Sequence, residues 1–383
     1  MKKILVIHNK YRQIGGEDVA VQKEVELLRN YYDVETLYFS NEIQNYFTQG
    51  ISFLLNTNLS SENKLKKIVH DFNPDLAYVH NTWFNASPGI FKVLDGLGVK
   101  TILKLHNFRY NCTKSFFSSQ HFNNHEICNA CGLDRNSIGK FNKYFQSSLF
   151  KSLLVTKYGR KYFDIIKNNN LKIFVLTEFH KEYLINLGIN QAKVEVYPNY
   201  LELQNIEKAN NEEKYILYAG RLSEEKGVEE LVVAFKNSNS SDLKLKIIGE
   251  GPAFNKLKEK YSNQNIDFLG SRPNHEVLKI IKKSKAVVTA TKLLEGQPML
   301  LCEASSLGVP SIFPRSGGIA EFFPKDYKLS FEQFNYEDLK TKIKMIENPK
   351  ILEVEGKKSK EYIKNYLDKE KLLKKFTEVL NEI

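Results

Sequence analysis

The chain is poor in cysteine and lacks long hydrophobic runs. Its 383 residues include four cysteines, three methionines and one tryptophan. Four cysteines are too few for a disulfide framework, so the composition favours a reducing compartment. No uninterrupted apolar stretch reaches the roughly 18 residues of a membrane-spanning helix, and we therefore expect any membrane contact to be peripheral. The apolar run from Ile4 to Ile7 is too short for the core of a signal peptide and indicates a buried strand.

Positive charge is in excess, and it is unevenly distributed. Lys and Arg total 56 against 45 Asp and Glu, which gives a net charge of +11. Residues 1–200 hold 25 basic and 17 acidic side chains, whereas residues 201–383 hold 31 and 28. Such an excess favours an anionic partner, which is a phosphate-bearing ligand, a nucleic acid or a membrane surface. No nucleic-acid-binding motif accompanies the basic residues, so we expect no nucleic acid.

Short apolar strands alternate with amphipathic helical segments from end to end, which predicts an α/β fold with parallel sheets. The pattern occurs as two series, and a length of 383 residues suits two domains of about 150 to 200 residues each. We therefore predict two Rossmann-like domains. The strands of the first series are predicted at 3–8, 34–39, 75–80, 101–106, 172–177 and 193–198, and those of the second at 214–220, 243–249, 266–270, 285–291 and 310–313.

Changes in composition predict the domain boundaries. Residues 200–213 are polar, rich in Asn and Glu, and without periodicity, so they are assigned to a linker. The N-terminal domain is then 1–199 and the C-terminal domain is 214–360. The segment 361–383 has helical spacing of Leu and Ile among Lys and Glu, and is predicted to cap the second domain or to pack back on the first.

The segment YAGRLSEEKGVEEL places two cations between a predicted strand and a predicted helix. Arg221 and Lys226 lie beside glycines at the start of this helix, where amide groups, the helix dipole and side-chain charge all favour a diphosphate. The alternative is an ordinary loop with two solvated cations. Gly249 and Gly251 form a second glycine turn at the same sheet edge, where open α/β sheets bind ligands.

Two acidic residues flank a predicted helix start. Glu295 precedes the loop GQPML, and Glu303 lies within the helix predicted to begin at Pro298. Carboxylates suit sugar hydroxyls because each accepts hydrogen bonds from neighbouring OH groups. The alternative for Glu303 is a buried, paired core acid. The amides expected to face a phosphate or a sugar ring are those of Gln297, Met299 and Leu300.

Taken in order, the motifs GRLSEEKG, GEGP, EGQPMLLCEASSLGVPSI and GGIAEF resemble the donor half of retaining nucleotide-sugar glycosyltransferases of family 4. The resemblance runs from about residue 214 to about residue 323. It implies the GT-B fold, in which two Rossmann-like domains face each other across a cleft, with domain 1–199 binding the acceptor and domain 214–360 binding the donor. It also implies that Arg221 and Lys226 bind the donor diphosphate, that Glu295 contacts the donor sugar and that Glu303 holds the ribose hydroxyls. The further donor-binding residues that it implies are Gly249, Gly251, Gln297, Pro298, Met299 and Leu300.

One residue departs from the family pattern. Phe is common directly after the first Glu of the pair, whereas this chain has Gly296. We expect this difference to change the shape of the sugar pocket. Gly270, Ser271 and Arg272 follow a strand where the nucleotide base would lie, and they do not distinguish UDP from GDP.

The N-terminal half resembles the family more loosely. Gly16 lies in a glycine turn like the one that closes on the reaction centre near the sugar phosphate, although a plain strand–helix turn has the same residues. His106 ends a predicted strand, at the position where the family places a histidine that contacts the donor sugar. His80 ends another strand on the same edge and is the second candidate. A single histidine is more often structural than catalytic, but two at one sheet edge favour function.

The resemblance implies transfer with retention of configuration, through an oxocarbenium-like transition state that the leaving diphosphate stabilises. Such a reaction needs cations at the phosphate more than it needs a nucleophile. The chain contains no Asp-x-Asp triplet, the usual site of a divalent metal in other glycosyltransferases. We therefore expect no metal and no other cofactor beyond the nucleotide-sugar donor.

Three cysteines raise the question of a zinc site. Cys112, Cys128 and Cys131 have spacing compatible with a zinc knuckle, with His121 and His125 as further ligands. Only one C-x-x-C pair is present, so a reduced, metal-free acceptor loop is the favoured interpretation.

Residues 140–163 contain six basic side chains, seven aromatic ones and no acid. This composition suits an anionic lipid surface, and a basic amphipathic helix with aromatic core residues explains it equally well.

The predicted protein is a cytoplasmic enzyme, peripheral at the inner face of the membrane. It transfers a sugar, with UDP as the favoured nucleotide, to a lipid-linked glycan acceptor in surface polysaccharide biosynthesis. The alternatives are a GT-B nucleotide-sugar epimerase and a catalytically silent sugar-nucleotide-binding subunit.

Overall fold

The chain folds into two compact units. A computed structural model describes residues 1–11, 15–40, 52, 55, 57–83, 85–108, 149–202, 214–240, 242–262 and 265–383, with the backbone alone for 149–156. The first unit consists of Met1–Tyr200 together with Lys369–Ile383, and the second is Leu201–Asp368.

The first unit contains, within the described residues, a sheet of six parallel strands in the order β2-β1-β3-β4-β5-β6. The strands are β1 (Lys3–Lys10), β2 (Asp33–Ser40), β3 (Leu76–Val79), β4 (Thr101–Lys104), β5 (Lys172–Val175) and β6 (Val194–Val196). The helices are α1 (Gly16–Leu28), α2 (Leu59–Phe72), α3 (Gly89–Gly96), α4 (Leu149–Asn168), α5 (Glu178–Asn186) and, from the far end of the chain, α12 (Lys369–Glu382).

Both faces of the first sheet are covered by helices. Consecutive residues of β1 are fully buried and alternate between two apolar clusters, because successive side chains of a strand point to opposite faces. Leu5 and Ile7 belong to one cluster and Val6 to the other. The second cluster also contains Phe376 of α12, which is fully buried. The last helix therefore completes the core of the first unit.

The second unit has the same layered plan. Its six described strands are all parallel and lie in the order β12-β11-β10-β7-β8-β9. They are β7 (Tyr215–Ala219), β8 (Lys244–Ile248), β9 (Ile266–Gly270), β10 (Ala286–Val288), β11 (Ser311–Arg315) and β12 (Ser330–Glu332). The helices are α6 (Val228–Asn237), α7 (Phe254–Tyr261), α8 (Asn274–Lys283), α9 (Met299–Ser306), α10 (Tyr336–Met345) and α11 (Pro349–Tyr366).

The predicted fold class, two Rossmann-like α/β domains with a helical C-terminal end, is confirmed. The structure differs from the prediction at one domain boundary. The predicted boundary at 361 falls inside α11, and the part of the chain that joins the first unit begins at Lys369. No Gly or Pro marks the break between α11 and α12, so composition alone could not locate it. Most of the predicted linker, residues 203–213, lies outside the described residues.

The basic aromatic segment at 140–163 is described with its side chains from Lys157 onward. Tyr158, Tyr162 and Phe163 are all buried, and the Tyr158 hydroxyl donates to the carbonyl oxygen of Thr82 at 2.6 Å. These aromatic rings are core residues, which is the alternative that the sequence left open. The side chains of residues 140–156 lie outside the described part. None of the helices in the described residues combines the length and the apolar character that a membrane crossing requires.

A buried histidine makes the stability of the protein depend on pH. His180 in α5 is fully buried, its ring lies 4.2 Å from that of Phe108, and burial lowers its pKa to about 3. The unfolded chain, with a histidine pKa of about 6.5, binds the proton more readily, so the folded state loses stability as pH falls below that value. We expect His180 to lower the free energy of unfolding by about 2 kcal/mol between pH 7 and pH 5.

Urea unfolding at the two pH values measures this effect. His180→Phe should remove about 2 kcal/mol of the pH-dependent loss. His70→Gln, at a histidine whose side chain is 89% exposed, serves as the control and should leave the loss unchanged. An equal loss in wild type and His180→Phe would contradict the assignment.

Candidate functional site

The strand order of the second sheet identifies the edge at which a ligand would bind. From β7 the chain continues to β8 and β9 on one side, and it returns to place β10, β11 and β12 on the other. Open α/β sheets bind ligands at the carboxyl ends of the strands, where the order reverses in this way. The loops after β7 and β10 lie at that point.

An ion pair joins these two loops. Lys226 follows β7 and Glu295 follows β10, and the Lys226 Nζ donates to Glu295 Oε1 at 2.5 Å. Thr291 Oγ1 donates to the same oxygen at 3.2 Å. The side chains of Lys226 and Glu295 are 29% and 27% exposed, so the pair is open to a ligand. Both bonds end on Oε1, which leaves Oε2 able to accept from a hydroxyl and Nζ able to donate to a further oxygen.

The backbone of Glu295 is held by the loop after β11. The amide of Gly318 donates to the carbonyl oxygen of Glu295 at 2.8 Å, and the Ser316 hydroxyl donates to that of Leu293 at 2.9 Å. Gly317 has φ +58°, and a Cβ there would lie 2.3 Å from the Glu295 carbonyl oxygen. Only glycine allows this approach. Residues 316–318 therefore set the position of Glu295, a role that the sequence did not reveal.

The second acidic residue lies inside α9. Glu303 is 7% exposed, and Asn274, at the start of α8, donates from Nδ2 to its Oε1 at 3.3 Å. The helix begins at Met299, with Pro298 at the N-cap position, one residue later than predicted. Gln297 is buried, whereas Pro298, Met299 and Leu300 are half-buried. Asn274 was not predicted from the sequence, although it lies close to Gly270–Arg272, the segment expected near the nucleotide base.

The loops after β7 and β8 are in close contact. Gly249 has φ +128°, and a Cβ there would lie 1.9 Å from the carbonyl oxygen of Gly220. A Cβ at Gly251 would likewise lie 2.3 Å from the carbonyl oxygen of Leu222. Both glycines thus brace the loop that carries Arg221, whose side chain is exposed. Within the described residues, no hydrogen bond or ion pair joins Arg221 to Lys226 or to Glu295.

In the first unit, a carboxylate organises the turn around Gly16. Asp18 accepts from His8 Nε2 at 2.9 Å, from the amide of Gly15 at 2.8 Å and from that of Tyr11 at 3.3 Å. Burial acts to raise the pKa of Asp18, but the hydrogen bonds from His8 and the two amides outweigh it and lower that pKa below its usual value. Gly16 is the first residue of α1. The sequence signal for this arrangement was the acid three residues after Gly15, as in a capping box.

The two candidate histidines are in direct contact. His80 follows β3 and His106 follows β4, the neighbouring strand, and His80 Nδ1 lies 3.0 Å from His106 Nε2. Burial lowers the pKa of both rings well below the usual value, and Lys104 and His8 nearby lower them further. Both histidines are therefore neutral at pH 7. The candidate zinc ligands Cys112, Cys128 and Cys131 lie outside the described residues.

Two solved structures are similar to the whole chain. Sucrose-phosphate synthase from Thermosynechococcus elongatus superposes with a TM-score of 0.73 at 15% identity, covering 100% of this chain and 99% of that one. Anabaena Alr3699/HepE, solved in complex with UDP-glucose, gives a TM-score of 0.69 at 13% identity and covers 100% of each chain. With the two parallel sheets, these neighbours define the fold as GT-B, the fold of one class of glycosyltransferases.

The sequence comparisons agree with this class. Residues 200–376 match the family described as Glycosyl transferases group 1, and this range contains the whole second unit, Leu201–Asp368. The matched family and the relatives named below are glycosyltransferases, and the family match is confined to the second unit and the residues next to it.

The named relatives differ in how much of their length is aligned. The uncharacterized glycosyltransferase MJ1059 of Methanocaldococcus jannaschii is 27% identical over 65% of this chain, which spans only 57% of that relative. The amylovoran biosynthesis glycosyltransferase AmsD of Erwinia amylovora is 26% identical over 85% of each protein. TuaC of Bacillus subtilis, named for teichuronic acid biosynthesis, is 32% identical over 31% of this chain and 29% of that protein.

Proposed function

We propose that the protein transfers a sugar, with retention of anomeric configuration, from a UDP-sugar to a glycan acceptor in polysaccharide biosynthesis. The proposal rests on the partly exposed Lys226–Glu295 ion pair, which lies where the strand order of the second sheet reverses. It offers a cation for a diphosphate and a carboxylate for sugar hydroxyls within one hydrogen-bonded unit. The UDP-glucose bound by Anabaena Alr3699/HepE and the polysaccharide pathways named for AmsD and TuaC support the donor and the product.

The proposed roles follow from charge and burial. Lys226 and Arg221 neutralise the charge that develops on the departing diphosphate, and Glu295 orients the donor sugar. Glu303, buried beside Asn274, accepts from the ribose hydroxyls. The proposed step needs no protein nucleophile. The bond between the anomeric carbon and the diphosphate breaks, the acceptor oxygen bonds to that carbon on the same face, and the acceptor hydroxyl gives its proton to the departing diphosphate, whose charge the cations stabilise.

The acceptor that we propose is a lipid-linked glycan, met at the cytoplasmic face of the membrane. The excess of 25 basic over 17 acidic residues in 1–200 supports an anionic surface or an anionic acceptor.

The alternative reaction is epimerisation of the nucleotide sugar. None of the relatives named above is an epimerase, and product analysis separates transfer from epimerisation, since an epimerase changes the sugar without an acceptor.

A panel of nucleotides tests the donor. UDP-sugars, GDP-sugars and the free diphosphates are added to the purified protein, and thermal unfolding is followed, because a ligand that binds the folded state raises the midpoint. The stabilising UDP-sugar is then incubated with lipid-linked acceptors, and transfer is read by mass spectrometry, with the anomeric configuration of the product determined by NMR. Stabilisation by no UDP-sugar, or hydrolysis alone in the presence of every acceptor, would contradict the proposal.

We propose that transfer needs no divalent metal, since Lys226 and Arg221 supply cations at the diphosphate. The expected result is that transfer in excess EDTA stays within about twofold of the rate with added Mg²⁺, because the charge at the leaving group is met by the protein. Abolition of transfer by EDTA that Mg²⁺ or Mn²⁺ restores would contradict this expectation.

Gly317→Ala should reduce transfer by about 100-fold, because its Cβ would displace the backbone of Glu295 and a shift of about 1 Å at a catalytic group has this effect. Steady-state kinetics measures the loss, and circular dichroism checks the fold. Gly96→Ala is the matched control, since nothing lies within 4 Å of its new Cβ. Normal transfer by Gly317→Ala would show that the loop after β11 does not position Glu295.

A further inference from the structure

The contact between His80 and His106 has a direction. The two rings meet edge to edge and are nearly coplanar, with centroids 5.3 Å apart and planes at 28°. His80 is 2% exposed, whereas His106 is half-buried. A neutral histidine carries one proton, so the 3.0 Å contact requires that one ring donate and the other accept.

The surroundings of His80 determine which of the two rings donates the hydrogen bond. Its second nitrogen, Nε2, is buried and has no hydrogen-bond partner among the described residues. If His80 accepted at Nδ1, its proton would lie on Nε2 as a buried N–H without an acceptor. Orphaned buried N–H groups are rarer than under-used acceptors. His80 therefore carries its proton on Nδ1 and donates to His106 Nε2.

This assignment fixes the proton of the half-buried ring as well. With Nε2 accepting from His80, a neutral His106 carries its proton on Nδ1. Protonation of either ring is opposed first by burial and then by Lys104 and His8, while His106 also opposes it at His80 and His180 at His106. The pair thus presents an uncharged N–H donor rather than an imidazolium.

We propose that His80 is a positioning residue that orients His106 and fixes its tautomer with the proton on Nδ1. The inference rests on the proposed sugar transfer, in which this N–H would donate to a hydroxyl oxygen of the donor sugar. An uncharged donor suits a hydroxyl, whereas an imidazolium would favour the diphosphate. The site would therefore recognise a sugar that has a hydroxyl within hydrogen-bonding distance of His106. The reaction would not require His106 to transfer a proton.

The tautomer can be measured without any assay of transfer. In full-length protein labelled with ¹⁵N at histidine, long-range ¹H–¹⁵N spectra at pH 7 distinguish Nδ1–H, Nε2–H and doubly protonated rings. The signals of His106 are those lost in His106→Gln. We expect the Nδ1–H form. Either of the other two forms would overturn the proposal, whatever the protein catalyses.

Two matched substitutions test the positioning role. Asn at position 80 places its amide nitrogen where Nδ1 of histidine lies, whereas Gln places it where Nε2 lies. We expect His80→Asn to keep kcat/KM for transfer within about threefold and His80→Gln to lower it about tenfold or more, chiefly in kcat. His70→Gln, at an exposed histidine, is the control. Equal losses in the Asn and Gln variants, or none in either, would overturn the role.

Failure of the two proposals can be told apart. If wild-type protein transfers no sugar from any donor, the proposed function fails, and the tautomer of His106 still decides the present inference. If transfer is robust and His106 carries its proton on Nε2, the proposed function stands and this inference fails. Should His80→Asn not fold, the wild-type spectrum and His80→Gln remain as tests.

Discussion

Lys226→Ala is expected to lower kcat/KM for sugar transfer by about 100- to 1,000-fold, the effect of removing one preorganised group from a developing charge. The side chain is anchored by its 2.5 Å bond to Glu295, so it is held in place before the donor binds. Its cation would act most strongly on the departing diphosphate, and we therefore expect kcat to fall more than KM rises. Steady-state kinetics with the donor found in the nucleotide panel measures both constants.

Controls separate this effect from a loss of folding or of general charge. Lys283→Ala removes an exposed lysine from α8 of the same unit and should leave kcat/KM unchanged. Lys226→Arg keeps a cation and should retain more activity than Lys226→Ala, though less than wild type because guanidinium geometry differs. Transfer by Lys226→Ala within a few-fold of wild type would remove Lys226 from the site.

Glu303→Gln is expected to weaken the binding of UDP by about 10- to 100-fold, since hydrogen bonds to a charged acceptor contribute about 1.5 to 3 kcal/mol. Glutamine keeps the size of the buried side chain and its contact with Asn274, so the loss reports the carboxylate rather than a cavity. Calorimetric titration of UDP into both proteins measures the change. Glu347→Gln, at an exposed acid, is the control and should bind as wild type does.

A thermodynamic cycle identifies the group that Glu303 contacts. Wild-type protein should bind UDP more tightly than 2′-deoxy-UDP, and this preference should shrink to near unity in Glu303→Gln. If the variant loses affinity for both nucleotides by the same factor, Glu303 does not bind the ribose 2′-hydroxyl. Unchanged binding of both nucleotides by Glu303→Gln would instead make the buried acid a core residue that accepts from Asn274, the alternative that the sequence allowed.

The sequence predicted the fold class because continuous apolar runs such as Ile4–Ile7 are typical of strands buried on both faces. It also predicted the loop that contains Lys226 and the loop that contains Glu295. It did not predict their ion pair, because that contact depends on β10 lying next to β7, and strand order is a long-range property. For the same reason His80 and His106 were competing candidates in the sequence, whereas the adjacency of β3 and β4 places them in contact.

Other residues lacked a local signal altogether. The Ser316 hydroxyl bonds the backbone of Leu293, and Gly317 packs against that of Glu295, more than 20 residues earlier in the sequence. A glycine in a sequence does not show which atoms will lie where its side chain would be. Asn274 reaches Glu303 from a different helix.

The path of the chain also sets the order in which its parts can fold. Residues 201–368 form one unit, and the helix that completes the other unit follows them at Lys369–Glu382. During synthesis, the second unit can therefore fold while the first still lacks the side chain of Phe376 from its core. Until α12 is synthesised, that apolar face of the first sheet remains exposed, so it can bind chaperones or aggregate. Truncation before Lys369 would make this interim state permanent.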